Sequence, residues 1–252
     1  MPEQLFFTRI LNGAFAGPVD ALLHLLGITP DYPQAPISNP VAMQVLVFAI
    51  LLVFFLVLRA RFSVENPGGL QHMIEGLHGF IEHQSHNVIG PHSERFTPYL
   101  MALGLYILLS NLLGLFPGLE SPTGTPVVPL GCALFTFVYY QAHGFRHSGI
   151  KYVAHFAGPP MRGMHWAMRA AIAGLMFPLE IISHLARVLS LTVRLYGNMF
   201  AGDMVILVFV SLIPIGVPVA FIGLHIGVAF IQAYVFVLLA TVYLAGAAGE
   251  AH

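Results

Sequence analysis

Long apolar runs, separated by short polar or proline- and glycine-rich segments, dominate the chain. A helix that spans a bilayer needs about 20 mostly apolar residues, and the last two runs exceed a perpendicular crossing. We expect those two to tilt, to break or to form a long oblique helical hairpin. The pattern predicts an all-α integral membrane protein, a single membrane domain over 1–252 with about five transmembrane helices. After an N-terminal segment, 1–40, the runs cover residues 41–60, 97–116, 127–146, 169–214 and 217–248.

The segment 66–95, between the first two runs, has a different pattern. Its apolar residues recur at steps of three and four and predict one face of a helix. They are Leu70, Met73, Ile74, Leu77, Phe80 and Ile81. The opposite face carries His72, Glu75, Glu82, His83 and His86. This distribution favours an amphipathic helix that lies in the membrane interface.

Composition supports a bilayer environment. Hydrophobic residues make up 57% of the 252 residues and charged residues only 8%, whereas soluble domains carry about 25% charged residues. A formal net charge of −1 lacks the basic surface that nucleic acid requires, so we expect no nucleic-acid partner. With Cys132 as the single cysteine, no disulfide framework can form. We expect no cofactor.

Basic residues in the short loops predict the orientation. They follow the first and third runs, and that side should be the cytoplasm: Arg59, Arg61, Arg146, Lys151, Arg162 and Arg169. The N-terminus and the loop 117–129 then lie outside, and the C-terminus lies in the cytoplasm. The opening MPEQLFF lacks the basic start and small-residue cleavage site of a signal peptide, so we expect no cleaved leader. The predicted location is the inner (plasma) membrane of a bacterium.

Histidine spacings raise the alternative of an intramembrane metal enzyme with histidine ligands. Glu75 with His78, His83 with His86, and His143 with His147 each share a helix face. Membrane desaturases use several such boxes, including paired histidines, and the sequence contains no HH pair. Without a complete ligand set, wet helix faces explain these histidines better than a metal site.

A polar stripe runs through the fourth apolar run. Glu180, His184, Arg187, Leu191 and Arg194 follow one another at steps of 4, 3, 4 and 3, which keep them on one side of an α-helix. The 14 steps from Glu180 to Arg194 climb about 21 Å, most of a hydrocarbon core of about 30 Å. A central charge in lipid costs at least about 2.5 kcal/mol. The stripe must therefore face protein, water or an ion path.

More polar positions follow in the same run and in the next one. Asp203 lies nine residues beyond Arg194, on the opposite side of an unbroken helix, so a simple pair between them is not expected. His225 and Gln232 are seven residues apart and share one face. If the two runs form a hairpin that turns near Pro214 and Pro218, His225 can approach Asp203 while Gln232 approaches Arg194.

Two explanations of these polar residues remain open. Buried ion pairs and hydrogen bonds fix helix packing in many membrane bundles. Packing, however, needs one or two such residues, whereas conduction needs a series. The length of the stripe and the default that intramembrane ionisable groups are functional favour an ion path.

Several motifs resemble subunit a of F-type ATP synthases, the ATPase A chain family. The central motif is SLTVRLYGNMFAGDMV, preceded by PLEIISHLARVL and followed by LHIGVAFIQAYVFVLLATVYL. The resemblance extends to SNLLGLFPG in the second run and to HFAGP in the predicted cytoplasmic loop after the third run. It covers most of the chain after about residue 40 and leaves the first 40 residues without a diagnostic motif.

The resemblance implies a non-catalytic, proton-translocating stator subunit. In this family an arginine at the position of Arg194 faces the essential carboxylate of a rotating ring of c subunits, and two offset half-channels lead to it. Glu180, Asp203 and His225 then resemble titratable members of the half-channels. Asn198, Gln232 and Ser190 resemble supports that donate or accept hydrogen bonds, with His184 on the same stripe.

The resemblance also implies partners and leaves one point open. The expected partners are the c-subunit ring, the b subunits of the peripheral stalk, the rest of the F-type complex and the lipid bilayer. Some family members carry acidic residues near the end of the second run, where this chain has Gly114 and only Glu120. The path from outside then uses either Glu120, or Asn111 and water. The choice between proton and sodium rests largely on the ring.

Overall fold

The computed structural model is helical in every region that it describes. It describes residues 4–25, 27, 29, 32, 35–63, 67–91, 93–116, 118–149, 166–212 and 216–249. The helices are α1 Phe6–Leu25, α2 Asn39–Arg61, α3 Gly69–Ile89, α4 Thr97–Leu113, α5 Val127–Ser148, α6 Trp166–Leu212 and α7 Val217–Gly249. The predicted all-α fold is confirmed. The HFAGP motif, Lys151 and Arg162 lie outside the described residues.

Three stretches are long and apolar enough to cross a membrane. They are Asn39–Arg61, Gly174–Leu212 and Val217–Ala247. Helix α4 is apolar but has only 17 residues, or about 26 Å of helix. The chain is therefore an all-α membrane protein, while five crossings remain a prediction. Arg59 and Arg61 in the last turn of α2 complement the negative end of its helix dipole.

The N-terminal region contains a helix that the sequence pattern did not indicate. In α1, Asn12 is 5% exposed. Its side-chain amide donates to the Ile37 carbonyl at 3.0 Å and its oxygen accepts from the Ile37 N–H at 3.0 Å. These two hydrogen bonds attach α1 to the segment that leads into α2. The pattern missed α1 because Pro18 interrupts it, and a proline inside a sequence pattern normally argues against a continuous helix.

Helix α3 lies within the predicted amphipathic segment and packs on α4 and α7. Ile74 and Ile81 are buried beneath it, while the histidine-rich face points away from the core. There His78 lies 3.6 Å from Glu82, and both side chains are more than 40% exposed. Gly90, at φ 96°, ends the helix in a conformation that favours glycine.

The main core lies where α4, α5, α6 and α7 meet. Its fully buried side chains include Ile107, Tyr140, Leu195, Met199 and Phe236. Helix α4 approaches α7 very closely, since a Cβ on Gly104 would lie 2.9 Å from a methyl carbon of Val237. This packing fixes α6 and α7, which carry the polar residues, against α4 and α5.

Candidate functional site

Helices α6 and α7 form the predicted antiparallel hairpin. The contacts between the two helices join residues that lie at similar distances from the turn along the chain. They are Phe209 with Phe221, Asp203 with His225, Asn198 with Gln232 and Arg187 with Tyr243. The two helices therefore keep one register from Phe209 near the turn to Arg187 far from it.

Asp203 and His225 lie together near the turn. The Nε2 atom of His225 is 3.8 Å from Oδ1 of Asp203, and the imidazole is 2% exposed while the Asp203 side chain is 36% exposed. This distance is too long for a direct hydrogen bond, and Nε2 has no hydrogen-bond partner among the described residues. A Cβ built on Gly202 would overlap the imidazole. Glycine at 202 therefore permits the close approach of the two helices.

The loop between α4 and α5 approaches Asp203 from the other side. A Cβ on Gly124 would lie 3.2 Å from Oδ2 of Asp203. Glu120 belongs to the same loop, and its partial burial, with a smaller contribution from the Asp203 carboxylate, raises the pKa of its carboxyl above the ordinary value. Two acidic groups and one imidazole are thus grouped at this end of the hairpin, which we call the outer cluster.

Buried hydroxyl and amide groups lie next to the outer cluster. Thr123 donates to Oδ1 of Asn111 at 2.7 Å, and Ser121 donates to the Ser110 carbonyl at 3.1 Å. Ser110, Asn111 and Thr123 are 0% exposed. The Nδ2 atom of Asn111 and the Oγ atom of Ser110 find no partner among the described residues. Such groups normally bind another polar group or an ordered water.

Arg194 is the last residue of the polar stripe that begins at Glu180. Its guanidinium donates to Oγ of Ser190 at 3.3 Å. Among the described residues, no Asp or Glu lies within 4.0 Å of it. Leu189 and Val193, on the neighbouring side of α6, are 62% and 55% exposed. A permanent positive charge thus lies at the edge of an exposed apolar surface of α6.

A second polar group lies toward the other end of α6, and we call it the inner cluster. His184 is 8% exposed, and its Nε2 atom lies 3.5 Å from Oε1 of Glu180. Its Nδ1 atom lies 3.0 Å from the hydroxyl of Tyr140 on α5. One turn along, the guanidinium of Arg187 lies 5.2 Å from the ring centre of Tyr243, within cation–π range.

The structure brings the eight predicted site residues together in four pairs. Asp203 approaches His225 as expected from the hairpin. For Gln232, which was expected to approach Arg194, the structure gives a hydrogen bond one turn further along α6, where its Oε1 atom accepts from Asn198 at 2.8 Å. The four pairs are Glu180 with His184, Ser190 with Arg194, Asn198 with Gln232, and Asp203 with His225.

Sequence reasoning missed Tyr140, Ser121 and Thr123. The sequence contained an indication for Ser121 and Thr123, since they lie one and three residues after Glu120 in a loop with few other polar groups. The histidine spacings of the metal alternative gain no further ligands: no group of three or more His, Cys, Asp or Glu in the described residues could hold a metal ion. The side chain of His147 lies outside that description.

Comparison with known proteins decides the family. The family model described as ATP synthase A chain matches residues 41–245. The chain belongs to the ATP synthase A chain family. It is 51% identical to ATP synthase subunit a of Koribacter versatilis (strain Ellin345), with 100% of both chains covered. It is 42% identical to ATP synthase subunit a of Solibacter usitatus (strain Ellin6076), over 96% of this chain and 100% of the relative.

Membership in the ATP synthase A chain family assigns the chain to the membrane sector of an F-type ATP synthase. The match begins at residue 41, so helix α1 precedes the family region. All residues of the outer and inner clusters, and Arg194 between them, lie inside the matched region.

Proposed function

We propose that this chain is the proton-conducting stator subunit of a bacterial F-type ATP synthase and that it catalyses no reaction itself. The observation that carries the proposal is the isolated guanidinium of Arg194, which lies between two separate polar clusters on one hairpin. Along the helix axis Arg194 is about 14 Å from Asp203 and about 15 Å from His184. The two clusters are too far apart for direct proton exchange and can serve opposite sides of the membrane.

The outer cluster would form the half-channel from outside. A proton would pass Glu120 and the hydroxyl groups of Ser121 and Thr123 to reach Asp203 and His225. The 3.8 Å gap between the last two suits a bridging water. The Asn198–Gln232 hydrogen bond then lies between this pair and Arg194. In this proposal Glu120 would take part directly, and Asn111 would support the route by accepting the hydrogen bond of Thr123.

The inner cluster would form the half-channel to the cytoplasm, through Ser190, His184 and Glu180. Arg194 would face the ring of c subunits across the apolar surface of α6. A guanidinium stays protonated at every relevant pH, so it cannot relay the proton. It favours the ionised form of a ring carboxylate that passes opposite, which promotes release into the inner half-channel and blocks a direct leak.

The proposed setting includes the remaining partners and the orientation. The b subunits of the peripheral stalk would hold the chain while the ring turns. Arg59, Arg61 and Arg146 would face the cytoplasm of a bacterial cell, with the N-terminus outside and the C-terminus inside. Each proton that crosses 100 mV gains about 2.3 kcal/mol, and the sum over several protons would drive rotation and ATP synthesis.

Replacement of Arg194 tests the proposal. In membranes that carry the assembled complex, Arg194→Ala should abolish ATP-driven proton pumping, and Arg194→Lys should strongly impair it, because lysine keeps the charge but lacks the planar fork. Arg146→Ala, which removes an exposed arginine at the end of α5, is the matched control and should pump normally. Normal coupled pumping by an assembled Arg194→Ala complex would refute the proposal.

A further inference from the structure

Tyr140 is a buried side chain of α5 that the proposed path does not use. It is 2% exposed and belongs to the main core. Its hydroxyl oxygen lies 3.0 Å from Nδ1 of His184, and the two rings are stacked with an interplanar angle of 27°. A hydrogen bond of this length joins the phenol to one specific nitrogen of the imidazole.

The other nitrogen of the His184 ring, Nε2, faces Glu180. Nε2 of His184 lies 3.5 Å from the carboxylate of Glu180, whose side chain is 39% exposed, against 10% for His184. The imidazole therefore lies between a buried phenol on α5 and a more exposed carboxylate on α6. Its two nitrogens have partners of different chemistry.

Among the described residues, further charged and titratable groups near His184 are found on α6 and α7. Arg187 lies one turn along α6 and contacts the ring of Tyr243. Tyr243 in turn lies with its ring centre 6.0 Å from that of Tyr140. Together with Glu180, these groups surround the imidazole with one positive charge, one carboxylate and two phenols.

The donor and acceptor inventory restricts how the imidazole can be protonated. An ionised carboxylate only accepts hydrogen bonds, whereas a phenol can donate, and a neutral imidazole has one donor and one acceptor nitrogen. With Glu180 ionised, Nε2 must carry the hydrogen. The acceptor is then Nδ1, and the O–H group of Tyr140 donates to it.

We infer that Tyr140 is a positioning residue that fixes the Nε2–H tautomer of His184, so that the imidazole presents its proton to Glu180. The inference rests on the proposed function, in which His184 and Glu180 belong to the inner half-channel. A second hydrogen on Nδ1 would oppose this arrangement, because the Tyr140 O–H group could then no longer donate to Nδ1 and would have to rotate and accept instead.

Removal of the hydroxyl tests the inference through a pH profile. In inverted vesicles the cytoplasmic side faces the bath, so bath pH acts on the inner half-channel. In Tyr140→Phe, Nδ1 loses its donor and binds a proton more readily, and the profile of ATP-driven pumping should move to higher pH by about 0.7 unit, the equivalent of one hydrogen bond. Tyr139→Phe removes the same atom from the preceding residue, which stacks on Tyr99 instead, and should leave the profile unchanged.

A second variant separates positioning from packing. His184→Gln removes the titrating ring, so adding Tyr140→Phe to it should cause no further shift of the profile. A shift that persists in the His184→Gln background, or a Tyr140→Phe profile that coincides with the wild-type one, would overturn the inference.

The tautomer itself gives a readout that does not depend on proton flux. Solid-state NMR of the complex in lipid, with ¹⁵N-labelled histidine, should show His184 with a bare Nδ1 and a protonated Nε2. The difference from the His184→Gln spectrum assigns the signal, and Tyr140→Phe should mix the two tautomers. A protonated Nδ1 in the wild-type protein overturns the role of Tyr140 alone, whereas normal pumping by Arg194→Ala overturns the proposed function.

Discussion

The two histidines of the hairpin are held in opposite ways. His184 lies between two side chains, with Tyr140 at 3.0 Å and Glu180 at 3.5 Å. His225 is even more buried, at 3% exposure, but its Nε2 atom lies 3.8 Å from Asp203 and forms no hydrogen bond with a described residue. The His184 ring is fixed by direct polar contacts, whereas the His225 ring is fixed by close packing against Gly202.

This difference indicates different tasks for the two clusters. A ring with both nitrogens engaged has a fixed orientation and a preferred tautomer. A ring with one nitrogen free of direct bonds can exchange protons with water and an adjacent carboxylate. The outer cluster thus depends on spacing, and the inner cluster on hydrogen bonds. The three changes that follow test this contrast.

Matched removal of the two carboxylates should have the largest effect. Asp203→Asn leaves His225 without an ionised partner among the described residues, so ATP-driven pumping per assembled complex should fall about tenfold or more. Glu180→Gln leaves His184 in contact with Tyr140 and should reduce pumping only a few-fold. Equal losses in the two variants would contradict the contrast between the clusters.

Closing the space beside His225 should have an intermediate effect. In Gly202→Ala the added methyl group overlaps the imidazole. The shifts that such overpacking forces cost about 1–3 kcal/mol. We expect pumping to fall several-fold as the ring moves away from Asp203. Gly174→Ala on the same helix, where a Cβ meets nothing within 4 Å, is the control. Equal pumping by both variants would show that the spacing at residue 202 is unimportant.

The smallest effect concerns Glu120 at the outer cluster. Its raised pKa means that the folded chain binds this proton more tightly than the unfolded chain does. Stability from this group is therefore present below its ordinary pKa and decreases as the pH rises toward the raised one. Glu120→Gln should remove that decrease. The Tm of the variant complex should then differ less between about pH 5 and about pH 7.5 than the Tm of the wild-type complex, by at most about 2 °C.

The control for this last change is Glu94→Gln, which alters an exposed carboxyl in the short turn that precedes α4. It should leave the pH dependence of Tm as in the wild-type protein. A Glu120→Gln complex with an unchanged pH dependence would show that the outer cluster does not influence this carboxyl.

Helical periodicity made the fold and part of the site predictable. The steps of three and four from Glu180 to Arg194 require one face of a helix whatever surrounds it. Counting outward from the turn likewise brought His225 to Asp203. Spacing alone does not distinguish Arg194 from Asn198 as the neighbour of Gln232. The register of a hairpin depends on how closely the helices pack, here at Gly202, and the sequence does not determine that distance.

The sequence did not predict how each helix is rotated about its axis relative to its neighbours. Tyr139 and Tyr140 are adjacent aromatic residues in α5, and only packing decides that Tyr140 faces His184 while Tyr139 stacks on Tyr99. The hydrogen bond from Thr123 to Asn111 similarly depends on how the loop folds back over the end of α4. These contacts link parts of the chain that share no periodic pattern.

The lone guanidinium of Arg194 has a consequence for biogenesis. A newly inserted chain without its partners presents this charge beside the exposed apolar side of α6, where lipid would have to accommodate it at a cost of at least about 2.5 kcal/mol. The bilayer would then have to thin, or admit water, around the unassembled subunit. In the proposed complex a carboxylate of the ring would remove that penalty, so the charge proposed to gate protons would also make the unassembled subunit costly to hold in the membrane.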